Sequence, residues 1–148
     1  MDTPTARQHF ARDRFAELTG IEIVEVSKGY CRAKLILDDR HLNAANVVQG
    51  GVIFTLADLA FAVASNSHGQ VALAINASIS FLQARSTGVL FATATELVKP
   101  KRIGVYDVLV HDDHGELIAK FNGMVYRKNQ PLVECTEDRP NTYTEESK

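Results

Sequence analysis

Cysteine is scarce in this chain of 148 residues: Cys31 and Cys135 are the only two, one in an expected strand and one in an expected tail. Neither has the close spacing that zinc sites or redox motifs require, so both are expected as free thiols. An excess of charge of either sign is also missing. Sixteen Lys and Arg stand against eighteen Asp and Glu, giving a formal net charge of -2, and no basic run is interleaved with aromatics. That balance excludes nucleic acid or an anionic membrane as the main partner. Residues 1–18 carry charges throughout and lack the apolar core of a signal peptide. The longest apolar stretch is broken by Asp58 and is too short to span a bilayer. A cytoplasmic chain is expected. His41, His68, His111 and His114 fall on loops and turns without a ligand pattern, so no metal is expected either.

What is present is an ordinary globular composition at a length suited to one domain with a real core. Pro4, then Phe10, Phe15 and Leu18 at roughly helical spacing, with Gly20 beyond, predict one amphipathic helix. Residues 21–26, a Lys28-Gly29 turn and residues 30–37 predict a β-hairpin, with Ala33, Leu35 and Leu37 alternating against Arg32, Lys34 and Ile36. After a loop over 38–49 and a long apolar helix come β-prone runs at 71–82, 89–98, 105–111 and 117–127. Strands that continue in hairpins after a single helix predict an α+β fold, one mostly antiparallel, strongly curved sheet folded around that helix. Residues 1–128 form the expected domain, and 129–148, polar with two prolines, an extended or disordered tail.

Asp58 is the residue that needs explaining. It is the only ionisable group in residues 52–66, of which eleven of fifteen are Ala, Val, Ile, Leu or Phe. A helix apolar on nearly every side is wrapped by the fold, and a carboxylate in such surroundings has its pKa raised toward the range useful for acid–base work. Directly before this stretch stands Gln49-Gly50-Gly51, preceded by a loop with Asp38, Asp39, Asn43 and Asn46. The free N–H groups of a helix start face whatever lies in front of them, and glycines let a ligand come close. Gly50 and Asp58 are eight residues apart, about 12 Å along the axis and about 80° in rotation. One helix cannot aim both at one small group. If they serve one reaction, they come from two copies of the helix lying side by side in opposite directions, which makes a homodimer with two equivalent sites.

These residues carry a family resemblance over about residues 18–128. The segments are His41-Leu42-Asn43, Gln49 through Asp58, Phe61 through Ser67, Ile79 through Leu82, and Gly104 through Val108. Together they resemble the hotdog-fold acyl-CoA thioesterases of the phenylacetate-degradation (PaaI-like) type. The resemblance implies that Asp58 acts on the thioester as general base or nucleophile. It implies that the Gly50 N–H of a neighbouring subunit polarises the carbonyl and that Asn43 helps line the site. It further implies a tetramer of two dimers, an acyl-CoA substrate and no separate cofactor. Two departures stand out. Gln49 occupies the place where the family usually carries His, and an amide can orient a loop or donate a hydrogen bond but cannot exchange protons near neutral pH. Leu59 replaces a frequent hydroxyl residue and suggests a greasier acyl pocket.

Around this centre, Gly51 and Gln49 are expected near the substrate, and Phe54, Phe61, Asn66 and Phe81 are candidate walls for the acyl group. Arg85, Lys99, Lys101 and Arg102 at strand ends could meet CoA phosphates at the rim. Each has a plainer reading: the glycines as a tight helix start, Asn43 as a turn former, the basic residues as a solvated turn, the aromatics as core. The alternative functions are a non-catalytic acyl-CoA or acyl-carrier binding module, or a hydratase-like relative. A hydratase would be expected to carry a catalytic His with an acidic partner near the helix start, which the loop over 43–49 lacks.

Overall fold

The structure is a computed structural model that describes residues 1–98 and 101–132. Its element order is α1 (Thr3–Phe10), α2 (Arg14–Thr19), β1 (Glu22–Ser27), β2 (Tyr30–Ile36), a short 3-10 turn (Asp39–His41), α3 (Gly50–Asn66), β3 (Gln70–Phe81), β4 (Val89–Glu96), β5 (Ile103–Asp112) and β6 (Leu117–Pro131). The single N-terminal helix expected from spacing is in fact two. Asp2 caps the first by accepting from the Thr5 N–H, and the chain leaves the helix at Ala11. Asp13 then starts a second helix by accepting from the Ala16 N–H at 2.9 Å, and Gly20 ends it in the left-handed region. The residues that carried the apolar spacing do not share a buried face: Phe10 packs partly buried against the core, Phe15 and Leu18 are exposed, and the two helices bury Ala6 and Ala16 instead.

All strand pairs are antiparallel, in the order β1-β2-β4-β5-β6-β3. Along β2, Cys31, Ala33 and Leu35 are buried, while Arg32, Lys34 and Ile36 point away from the core, as the alternation predicts. The chain reaches β3 at the far edge of the sheet only by crossing its concave side as α3, so the apolar helix fills the curve. Ile53, Leu56, Ala57, Ala60, Phe61, Val63 and Ala64 are all buried there. Phe61 fits because Gly123 faces it on β6: a Cβ at Gly123 would stand 2.5 Å from the Phe61 ring. Burying these side chains is worth about 1.5–3 kcal/mol each for the larger ones, which makes the helix–sheet seam the main source of cohesion.

Two surfaces of this arrangement stay uncovered. On α3, Gly51, Thr55, Asp58 and Ala62 form a stripe at helical spacing that the sheet does not bury. On the sheet, β3 is an edge strand on which Ala72 alone is buried, and Leu73 and Ile75 are 48% and 55% exposed. β6 reaches Pro131, three residues into the expected tail, and Gln70 pairs with that last residue. Residues 133–148, including Cys135, lie outside the described residues. No described helix is long and apolar enough to cross a membrane.

Candidate active site

The loop before α3 is built to hold the helix start still. His41 is buried: its Nδ1 accepts from the Asp38 N–H at 3.0 Å, which leaves Nε2 as the donor to the Thr19 carbonyl at 2.7 Å. Its own carbonyl accepts from the Gln49 N–H. Asn43 Oδ1 accepts from the N–H groups of Ala45 and Val47, so its carbonyl oxygen is spent on the loop itself. Gln49 caps the helix, its Oε1 accepting from the Gly51 N–H. The consequence falls on Gly50. Among the described residues its N–H makes no hydrogen bond, while that of Gly51 is occupied, so Gly50 offers the free donor at the positive end of a 17-residue helix.

In front of Gly50 lies a cleft of about 340 Å³ whose walls include Val48, Ile53, Phe81, Leu82 and Arg85. Phe81, half exposed, stands directly over Gly50, where a Cβ would come within 3.1 Å of its ring. Arg85 borders the same cleft, but its Nε donates to Asp112 at 3.0 Å and its other nitrogens donate to Gln83 and Ala84. Its charge is already met.

Asp58 sits two turns further along α3, half-buried on the open stripe. Burial first, then the nearby charge of Asp13, push its carboxyl above the ordinary carboxylate range, and no hydrogen bond contributes. Asp13 is a residue that spacing alone did not single out. Its only signal was the helix-capping role at the start of α2, and the packing of α2 against α3 then sets it near Asp58. Leu59, 5% exposed, faces a second cleft of about 490 Å³ between α1, α2, β1 and α3, with Phe10, Ile21 and Ile23.

Other expected site residues have structural work. Asn66 donates to the carbonyls of Ala62 and Ala72 and accepts from the Ala72 N–H, tying the end of α3 to β3 and leaving nothing for a ligand. Phe61 is 1% exposed and packs edge-on against Tyr106 and tilted against Phe121. Phe54, partly buried, packs on Phe121 from the rim of the stripe. The basic residues expected together are split: Arg85 lies by Gly50, whereas Lys101 and Arg102 border a separate cleft with Gln70, Arg127, Lys128 and Asn129. Lys99 lies outside the described residues. The Gly104–Val108 segment has a local reason as well. Gly104 leaves room for the Arg127 guanidinium, which donates to the Tyr106 hydroxyl and to Glu96, and Glu96 also meets His68 at 2.8 Å.

A family model for the thioesterase superfamily matches residues 45–119, the stretch from the Gly50 loop to β6. The acyl-coenzyme A thioesterase PaaI of Escherichia coli is 33% identical over 123 residues, which cover 82% of this chain and 88% of that protein. A relative from Archaeoglobus fulgidus, whose name places it provisionally among esterases, is 43% identical over 82% of this chain and 79% of its own length. The solved structure of the E. coli PaaI protein from the phenylacetic acid degradation operon superposes with a TM-score of 0.81 at 31% identity, covering 88% of this chain and 99% of that one. The chain belongs to the thioesterase superfamily and has its hotdog fold. Within it, the chain is an enzyme of the PaaI-like type.

Proposed function

We propose that the protein hydrolyses an acyl-CoA thioester to free acid and CoA in a site that two copies build together. The observation that carries this reading is the division of labour along α3: a free N–H at Gly50 and a carboxyl with raised pKa at Asp58, both on uncovered surface, about 12 Å apart along one axis. Two α3 helices side by side and antiparallel bring Gly50 of one opposite Asp58 of the other. The uncovered stripe is where such a neighbour fits, and the apolar edge of β3 gives it a second contact.

A thioester carbonyl seated at Gly50 develops negative charge on oxygen as the carbon becomes tetrahedral, and a fixed N–H at a helix N-terminus stabilises that charge. Asp58 of the partner subunit takes a proton from water, whose oxygen adds to the carbonyl carbon, or attacks that carbon itself. Collapse then breaks the C–S bond, and the sulfur leaves as CoA thiol once protonated. In the direct-attack route, water releases the acid from Asp58 in a second step. No separate cofactor enters either route. Phe81 and Phe54 offer apolar walls for an aryl or short-to-medium acyl group, and Gln49, which cannot exchange protons, serves by fixing the loop. Pairing of two such dimers completes a tetramer working in the cytoplasm.

The test is free-thiol release from a panel of aryl- and alkyl-CoA esters. Turnover of at least one class is expected, and a protein that binds CoA esters without releasing thiol would make it a binding module instead.

A further inference from the structure

We propose that Asp112, the last residue of β5, is a positioning residue for the reaction: acting through Arg85, it fixes the loop that aims the Gly50 N–H. The inference rests on the thioesterase reading above and adds what holds its oxyanion donor in place.

Between the end of β3 at Phe81 and the start of β4 at Val89 the chain forms neither helix nor strand. Individual bonds, not a ladder, must shape this strap. Its first end hangs on β6, where the N–H groups of Leu82 and Gln83 donate to the Ile118 carbonyl at 2.8 and 3.2 Å. Its middle grips the loop before α3. The Arg85 carbonyl accepts from the Val48 N–H at 2.7 Å, and Ser86 Oγ donates to the Asn46 carbonyl at 2.7 Å. Val48 also pairs with Leu42, so the backbone two residues before Gly50 is held from both flanks. The one residue between them, Gln49, is tied as well, by its N–H to the His41 carbonyl and by its side chain to the Gly51 N–H. The Gly50 N–H therefore goes where Val48 is put.

The Arg85 side chain sets the shape of the strap. Two of its nitrogens turn back onto the strap itself, donating to the Ala84 carbonyl at 2.7 Å and to Gln83 Oε1 at 3.1 Å, while Nε donates to Asp112 Oδ2 at 3.0 Å. Asp112 is the fixed point. Its side chain is 8% exposed, and Oδ1 accepts from the N–H groups of His114 and Glu116, both at 2.9 Å. A charge-assisted bond to a carboxylate held in this way is strong and directional. The links run from Asp112 through Arg85 and Val48 to Gly50, and Asp112 is not itself among the residues lining the cleft in front of Gly50. Its effect on the reaction is thus separable from any contact with substrate. A donor that stabilises charge only in the transition state must be finely placed, and a shift of about 1 Å can cost about 10² in rate.

The experiment uses Asp112→Asn in the full-length protein, which keeps an acceptor for the two turn N–H groups and removes the charge that holds Arg85. For an acyl-CoA ester that the parent hydrolyses, kcat should fall about 10–100-fold with KM changed by less than about twofold. Unchanged kcat overturns the proposal, whatever happens to the melting temperature. A rise in KM alone also overturns it, since that marks a substrate contact. Arg85→Gln breaks the same bond from the other side and gives the comparison if Asp112→Asn does not fold. With both folded, the double variant should be no slower than the slower single variant, whereas losses that multiply would show two separate effects and overturn the link. Hydrogen exchange supplies a readout that needs no turnover. In Asp112→Asn, a peptide covering residues 42–50 should exchange at least about tenfold faster, with β2 and the interior of α3 unchanged. Uniform acceleration, or none, overturns the proposal. If the parent hydrolyses no ester, the thioesterase reading fails, and the exchange result alone decides whether Asp112 fixes this loop.

Discussion

Asp58 combines a cost to the fold with a use in the chemistry. Because its pKa is raised in the folded chain by burial and by Asp13, ionising it destabilises the native state. The favourable contribution of its protonated form is full below the unfolded carboxylate value and is lost as pH rises through the folded one. Asp58→Asn should therefore melt higher than the parent at neutral pH, with the difference vanishing in acid, as thermal unfolding across pH will show. The same substitution should lower kcat about 10²–10⁴-fold while CoA-ester binding persists. Unchanged turnover in both Asp58→Asn and Asp58→Ala would remove this residue from the mechanism. The acid limb of kcat/KM should lie above the ordinary carboxylate range, and Asp13→Asn, which keeps a helix cap but drops the charge, should move it to lower pH. Cys31, fully buried, has its thiol pushed up to about 12 by burial, and should resist thiol reagents until the protein is unfolded by denaturant.

At the scale of elements, the long apolar helix and the hairpin were legible because their periodicities, apolar on all sides and strictly alternating, leave little freedom. The break between α1 and α2 was not, since one capping aspartate outweighed apolar spacing that ran past it. Nor was the contact that lets α3 lie close to the sheet. Gly123 reads as an ordinary strand residue until Phe61 is seen against it. Gly123→Ala should cost about 1–3 kcal/mol of stability, measured by urea unfolding, because neither ring nor strand can move far in a filled core. The β3 edge gives the complementary test. Ile75→Lys places a charge on an exposed apolar strand edge and should weaken self-association and activity together while leaving each chain folded, as light scattering after gel filtration will show.

For the whole molecule, a site divided between two chains predicts that activity follows assembly. Dilution below the dimer dissociation constant should lower the specific activity, whereas a site complete within one chain would keep it constant. The split basic cluster belongs to this scale as well. Arg85 and Lys101 are separated in sequence by little more than β4, but they lie toward opposite ends of β3 and in different clefts. Strand connectivity, not spacing, sets that distance.

The sequence by itself determined the single carboxylate in an apolar helix, the glycine pair at its start and the antiparallel sheet around it, because each is a local pattern of polarity and backbone freedom. Tertiary structure alone decided that Asn66 and Phe61 belong to the core and that Asp13 stands near Asp58. Those outcomes depend on which groups meet across the fold, and hydrogen bonds, packing and charge act over a few ångströms of space whatever the separation along the chain.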